Sequence, residues 1–469
     1  MDSTFFHWTG FFSKYLKPQI VFLVLALTAG LAMVFVNAPF QVPDEGAHFW
    51  RAFHVSQGDW TSSRKGDAVG GEIPKSVAAI TQTYDYLIGH PEIRVDRDAF
   101  GADLNRPFEG NTTIFKDFFT QALYAPTVYL PQAIGIALGR LCGLSALKMM
   151  YAGRISALLC WIALIFMAIR IVPIYKWVFV LIALIPRSLS LAASLSADGP
   201  TNAMALLLTA VLMREIFGKE AGLKTMDAIL ILLLSLLLSM AKQVYLPLVG
   251  LVLLIPAEKF NGMQKKLFFC GLVMGAAVLA TGLWSMTIRD FYRPWNDANA
   301  PEQMALILAR PWIFPVIAVN SFFEHWRSMF FSFIGVLGFL DVWLPKWVYR
   351  SYPFILLGMA LFDAGCGKPI RWFQRGWILV LLICSFMLIE LSMYLVWTKP
   401  GADLVNGVHG RYFIALAIPA LLALFYNQRL KLPMRRLMPL ALGLYLCAVL
   451  AASCWSVYVR YYGPALNFS

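Results

Sequence analysis

The chain has 469 residues, 59% of them hydrophobic and only 14% charged, with a formal net charge of +13 and a mean hydropathy of +0.66. A soluble chain of this length would carry about 25% charged residues, so the composition excludes a soluble globular enzyme, a disordered chain and a disulfide-stapled secreted module. The apolar residues come in repeated runs long enough to cross a bilayer, roughly 17–25 residues each, which is the mark of a polytopic membrane protein.

The basic residues sit in short loops: Lys14 and Lys17; Arg214, Lys219 and Lys224; Lys259, Lys265 and Lys266; Lys368, Arg371 and Arg375; Arg429, Lys431, Arg435 and Arg436. That is the positive-inside pattern of cytoplasmic loops. A nucleic-acid binder would instead gather its basic residues into one patch, so no nucleic-acid partner is expected. The seven cysteines (Cys142, Cys160, Cys270, Cys366, Cys384, Cys447 and Cys454) lie scattered, mostly in apolar runs. None has metal-ligand spacing, and no metal or cofactor is assigned.

In chain order, residues 1–18 show no small-residue cleavage site, so a retained first helix is expected over 19–36, and Lys14 and Lys17 place the N-terminus in the cytoplasm. Residues 37–148 read as an extracytoplasmic loop. Asn37 to Tyr124 holds 12 acidic and 8 basic residues, opposite in sign to the whole chain. Tyr124–Leu141 is expected to lie along the outer membrane surface, since Arg140 and Lys148 flank its far end. The bundle over 149–459 is expected to hold spans at Met149–Ile169, Trp177–Leu191, Asn202–Met213, Ala228–Met240, Val244–Pro256, Leu267–Ile288, Met304–Phe322, Ser328–Leu340, Tyr349–Phe362, Ile378–Trp397, Phe413–Tyr426 and Leu437–Val459. With the first helix this makes about 13 spans, several short, as in helices tilted or broken around a cavity. A tail over 460–469 would lie outside. The expected class is an all-α polytopic membrane protein.

Polar residues in or beside apolar spans carry the functional signal, because a charge at a helix centre costs about 2.5–3.5 kcal/mol on insertion scales. Pro43 sets Asp44 and Glu45 into the first turn of an expected helix that carries His48 and Arg51. The pair reads either as helix capping or as a base for chemistry on a lipid headgroup. His48 is a conceivable metal partner, but a lone Asp/His pair at i,i+4 does not make a metal site. Asp198, in Ser196-Ala197-Asp198-Gly199-Pro200, either caps the next helix or faces the same cavity as Asp44. Lys242, followed by Tyr245, interrupts an apolar run that suits a helical hairpin with its break outside. Its anionic partner is a phosphate or an internal carboxylate such as Glu390. Asn406-Gly407-Val408-His409-Gly410-Arg411-Tyr412 offers close backbone approach and a planar guanidinium fork, or alternatively a snorkelling Arg411 with Tyr412 in the aromatic belt. Asp341 is a weaker outer-loop candidate, and the Asn-x-Ser/Thr matches at Asn111 and Asn467 say little.

Together these sites resemble the GT-C class of membrane glycosyltransferases, which take sugar from a polyprenyl-phosphate carrier and include lipid A aminoarabinose transferase and the protein O-mannosyltransferases. Asp44-Glu45 with Ser56-Gln57-Gly58-Asp59-Trp60 is similar to the opening of the first outer loop in the aminoarabinose branch, with one inserted residue. A closer likeness is to a bacterial family of unknown function found among polysaccharide-modifying genes. Its pattern is similar to Pro43–Ala52, Tyr129–Pro131, Lys242, Gly335–Asp341 and Gly407–Phe413. The His-Lys-Pro-Pro of aminoarabinose transferases is absent near Tyr124-Ala125-Pro126.

The resemblance implies a GT-C-like fold and an inverting glycosyltransferase of the bacterial inner membrane that faces the periplasm. It implies Asp44 as base, with Glu45 either orienting the acceptor or replacing Asp44 as base, and Lys242 and Arg411 on the donor phosphate. His48, Arg51, Asp198, Tyr245, His409 and Tyr412 would line the substrates. The expected partners are a polyprenyl-phosphate sugar donor, a lipid-linked glycan acceptor such as an O-antigen unit, and membrane lipid. A lipid-linked glycan flippase or transporter is the rival from another class, and a polysaccharide polymerase or ligase the rival within enzymes.

Overall fold

The computed structural model describes residues 16–295, 297–363, 369–427 and 438–464. Lys14, Cys366, Lys368, Arg429, Lys431, Arg435, Arg436 and Asn467 lie outside the described residues.

The fold is predominantly helical. Helix α1 (Pro18–Val36) opens with Pro at its first turn, where a missing N–H costs nothing, and runs apolar for 19 residues. The segment that follows is mixed rather than purely helical. It contains α2 (Glu45–Ser56), strands β1 (Ser63–Lys65) and β2 (Ala68–Pro74), α3 (Lys75–Gln82), α4 (Arg97–Asn105), β3 (Thr113–Asp117) and α5 (Leu130–Leu141). The strands form an antiparallel sheet in the order β1-β2-β3, with Gly70 opposite Ser63 on one side and Asp117 on the other. A Cβ on Gly70 would sit 1.8 Å from the Lys116 carbonyl oxygen, so only glycine admits this pairing. The expectation of surface helices alone therefore missed a sheet, because its strands are only three to seven residues long and the central one, Ala-Val-Gly-Gly-Glu-Ile-Pro, is mostly buried and shows no polar/apolar alternation.

Helix α6 (Ala146–Ile171) is the next long apolar helix, and α5 packs tightly on its first turns. A Cβ on Gly135 would stand 2.3 Å from the Ala152 oxygen. The expected span Trp177–Leu191 is broken into α7 (Lys176–Ala183) and α8 (Pro186–Ala192). Pro186 is the cause: it drives Ile185 out of the helical region, to φ −52° and ψ 131°. Helix α9 (Asp198–Phe217) is the centre of the bundle, with every residue except Arg214 buried. A helix apolar all round belongs inside a bundle. Helix α10 (Thr225–Ala241) ends at Lys242, and the chain returns as a 3-10 helix over Gln243–Leu254 that contains Pro247. This is the expected hairpin.

Helix α11 (Met263–Ile288) follows, then the largest departure from expectation. In place of spans at Met304–Phe322 and Ser328–Leu340 there are α12 (Ala300–Ala309) and α13 (Ile313–Ile334), bent by 113°. Pro311 drives Arg310 out of the helical region, to φ −145° and ψ 72°, and ends α12. Gly335 ends α13, and a small hairpin, β4 (Val336–Leu337) with β5 (Val342–Trp343), takes the remainder. Helices α14 (Lys346–Phe362), α15 (Trp372–Val396), α16 (Ile414–Phe425) and α17 (Met438–Tyr462) complete the chain.

Among the described residues, five helices are long and apolar enough to cross a membrane: α1, α6, α11 (with its 3-10 extension to Phe291), α15 and α17. A sixth is added if the bent pair counts as one span, and α10, Gln243–Leu254 and Gly410–Phe425 are shorter apolar helices. The two ends of the bundle differ chemically. One holds Arg214, Lys224, Lys259 and Arg375; the other holds the loop ends that carry Asp44, Asp198, Lys242 and Arg411.

Candidate functional site

Four chain segments more than 40 residues apart converge at the second end. Asp44 stands just before α2 in the left-handed region, at φ 64° and ψ 8°, and its side chain caps nothing. The helix therefore starts at Glu45, one residue later than the sequence suggests. A non-glycine residue held there costs of order 1–3 kcal/mol and persists only where its surroundings enforce it. The capping reading of Asp44 fails on this geometry.

Asp198 opens α9, but its carboxylate does not cap that helix either. Oδ1 lies 2.5 Å from Lys242 Nζ, and Oδ2 lies 3.6 Å from Arg411 Nε. Arg411 Nη2 in turn lies 3.8 Å from Asp44 Oδ2. The exposures separate the roles. The side chains of Asp198, Lys242 and Arg411 are 9, 11 and 12% exposed, whereas that of Asp44 is 54% exposed. Three groups form a buried charged floor, and Asp44 is the carboxylate a ligand can reach.

The walls are aromatic. Lys242 Nζ lies 4.7 Å from the centre of the Tyr412 ring and 5.7 Å from that of Tyr124. Tyr245 Oη donates to the Tyr412 carbonyl at 2.8 Å and so ties down the residue that follows Arg411. Behind Asp44, His48 Nδ1 and Tyr129 Oη are hydrogen-bonded at 2.8 Å. Burial pushes the His48 imidazole down to about 4, and His409, half-buried over Tyr412, down to about 4 as well, with the Arg411 charge reinforcing the burial. Both are neutral near pH 7.

Gly410 explains how Arg411 gets its place. A Cβ there would stand 2.1 Å from the Met329 oxygen and 2.3 Å from the Phe333 nitrogen, so the chain can lie on α13 only as glycine. Gly410 N–H donates to Ser332 Oγ at 2.8 Å.

Two expected site residues lie elsewhere. Glu45 is fully buried and points away from Asp44, into a bidentate pair with Arg154 (Nε–Oε1 2.8 Å, Nη2–Oε2 2.5 Å), and it also accepts from Leu195 N–H. It cannot stand in as a base. Arg51 is fully buried and donates to the carbonyls of Asp59 and Trp60, so it closes the Ser56–Trp60 turn rather than facing a ligand. Glu390 is not the partner of Lys242: it is buried with neither oxygen hydrogen-bonded, and Asp198 takes that place. Asp341 pairs with Arg460 at 2.6 Å, and Arg460 holds the carbonyls of Leu87, His90 and Ile93. That motif fastens the long loop to α17.

The sequence reading missed Arg187 and Arg154, each a cation inside an apolar run, although the criterion that picked out Lys242 would have found both. Arg187 is 1% exposed, donates to the Val336 carbonyl at 3.1 Å and leaves Nε without a partner. It lies within electrostatic reach of Arg411, Asp198 and Asp44. The site thus holds three cations against two carboxylates, a surplus that suits an anion. Among the described residues, no group of three or more His, Cys, Asp or Glu side chains could hold a metal ion.

A family model described as "Predicted membrane protein (DUF2142)" matches residues 27–420. No curated protein and no solved structure matches the chain.

Proposed function

This chain belongs to that membrane-protein family, and for it we propose an inverting glycosyltransferase that moves a sugar from a polyprenyl-phosphate carrier to a hydroxyl of a lipid-linked surface glycan such as an O-antigen unit. The observation that carries the reading is the exposed Asp44 carboxylate beside a buried floor of Lys242, Arg411 and Asp198. Such a floor can hold a phosphate while the neighbouring carboxylate accepts a proton.

In the proposed reaction the acceptor hydroxyl attacks the anomeric carbon from the face opposite the phosphate. Asp44 takes the hydroxyl proton. The anomeric carbon–oxygen bond to phosphate breaks, and polyprenyl phosphate leaves with the electron pair. Lys242, Arg411 and Arg187 stabilise the charge gathering on that phosphate. A phosphate leaves without needing a proton, so a single carboxylate suffices, unlike the pair a glycosidase needs.

The basic end of the bundle is read as cytoplasmic, which puts Asp44 on the outer face, periplasmic in a bacterial inner membrane. The proposed architecture is GT-C-like, with the three shorter apolar helices adding to the five or six long ones.

The test is release of polyprenyl phosphate from a panel of polyprenyl-phosphate sugars by the purified protein, with and without a lipid-linked glycan. Acceptor-dependent release that falls roughly 10²–10⁴-fold in Asp44→Asn supports the reading. Release undiminished in Asp44→Asn removes Asp44 from the mechanism. No release from any donor, with intact lipid carried across a vesicle membrane instead, replaces the reading with a flippase.

A further inference from the structure

A second concavity lies at the Asp44 end of the bundle, on the other side of the Arg154–Glu45 pair. It is a groove of about 590 Å³ between the last turn of α1, helix α4, the first turns of α6 and the last turns of α17. Phe35, Leu104, Tyr151, Ile155, Tyr458 and Tyr462 line it, and the lining is almost wholly apolar. Its one charged residue is Lys148, in the first turn of α6.

Lys148 is anomalous. It sits at the end of the bundle where the flanking loop is net acidic, yet among the described residues it pairs with no carboxylate. Among the described residues, the one hydrogen bond of its ammonium group is a long one, 3.4 Å to Asn105 Oδ1. Arg140, the other cation of this stretch, is accounted for: it donates to the Ser56 carbonyl and lies over the Phe53 ring. The groove walls belong to helices whose faces are open to the bilayer, with Phe35 55% and Tyr458 39% exposed. Bilayer lipid is therefore the molecule present beside this groove at the highest concentration. An apolar slot between spans, rimmed by tyrosines with one lysine at the interface, matches a hydrocarbon chain joined to an anionic phosphate.

We propose that this groove is a binding site for one anionic glycerophospholipid of the surrounding leaflet, its acyl chain between α1, α6 and α17 and its phosphate at Lys148. The site does not depend on the transferase reading. A bound chain packs on Tyr151, whose ring stacks on Phe35 at 5.6 Å and lies 5.5 Å from the Arg154 guanidinium. It thereby backs the buried pair that positions the start of α2.

The full-length protein, purified in detergent, is loaded with phosphatidylglycerol or with phosphatidylcholine of the same chains, and retained lipid is counted by native mass spectrometry. Wild type is expected to retain one phosphatidylglycerol in preference to phosphatidylcholine, by about fivefold for one lysine at an anionic headgroup. Lys148→Glu is expected to bring that ratio to about one or below. Ala152→Trp, which fills the groove from a half-buried position on α6, is expected to remove retention of both lipids. Thermal unfolding of each variant verifies folding, and Leu104→Trp replaces Ala152→Trp if the latter does not fold. Equal retention of the two lipids by wild type overturns the proposal, and so does unchanged retention in a folded charge-reversed or filled variant.

Discussion

Arg154 grips both carboxylate oxygens of Glu45 while its remaining N–H groups donate to the carbonyls of Val34, Asn37 and Ala38, and both side chains are fully buried. One guanidinium thus ties α6 to the end of α1 and to the first residue of α2. Asp44, the next residue back, is presented by a brace in which it takes no part.

The two acidic neighbours should therefore respond differently to amidation. Removing one partner of a buried pair costs about 3–5 kcal/mol, because the other charge is stranded. Arg154→Met should lower the unfolding temperature in detergent sharply, and Glu45→Gln should lower it as well. Asp44→Asn, at an exposed position without a cap bond, should leave it unchanged. Equal unfolding temperatures for Glu45→Gln and wild type would contradict the brace.

Arg187 couples stability and function with opposite signs. A buried guanidinium with an orphan Nε and no carboxylate of its own is destabilising, since desolvation is uncompensated. Arg187→Met should raise the unfolding temperature or leave it unchanged. It should weaken binding of a polyprenyl-phosphate donor about 10–100-fold, the equivalent of ~1.5–3 kcal/mol for a hydrogen bond to a charged group. A variant that is both less stable and unimpaired in donor binding would show that Arg187 serves the fold alone.

His48 and His54 set an acid limit. Burial pushes both imidazoles down to about 4, with the Arg51 charge adding to the effect at His54. In the unfolded chain they titrate near 6.5. The native state therefore binds fewer protons between these values, so stability rises with pH there. Their contribution is intact above about pH 6.5 and is lost as pH falls towards 4. Unfolding temperatures measured from about pH 7.5 to about pH 4.5 should fall, and His48→Gln should flatten part of that fall. A fall as steep in His48→Gln as in wild type would place the acid sensitivity elsewhere.

Gly410→Ala should displace Arg411 without touching any charged atom. The added methyl group meets the Met329 oxygen and the Phe333 backbone, neither of which can swing aside as a side chain can. Donor affinity should fall at least as far as in Arg411→Gln, while Gly271→Ala, in open space on α11, should have no effect. Wild-type donor affinity in Gly410→Ala would mean that the loop's path does not position the guanidinium.

The sequence by itself determined the membrane class and singled out Asp44, Asp198, Lys242 and Arg411. Both follow from one dimension: a charge beside an apolar run is costly, so each exception is visible without knowing the fold. Tertiary structure decided the pairings. Asp44 and Glu45 are adjacent in sequence and chemically alike, but a left-handed residue at the helix start sends one carboxylate to Arg411 and the other to Arg154. Lys242 meets Asp198 rather than Glu390 because α9 and α10 pack side by side, a contact no local periodicity encodes. The broken helices were also local facts left unused: Pro186 and Pro311 end them by steric exclusion, which counting apolar residues does not register.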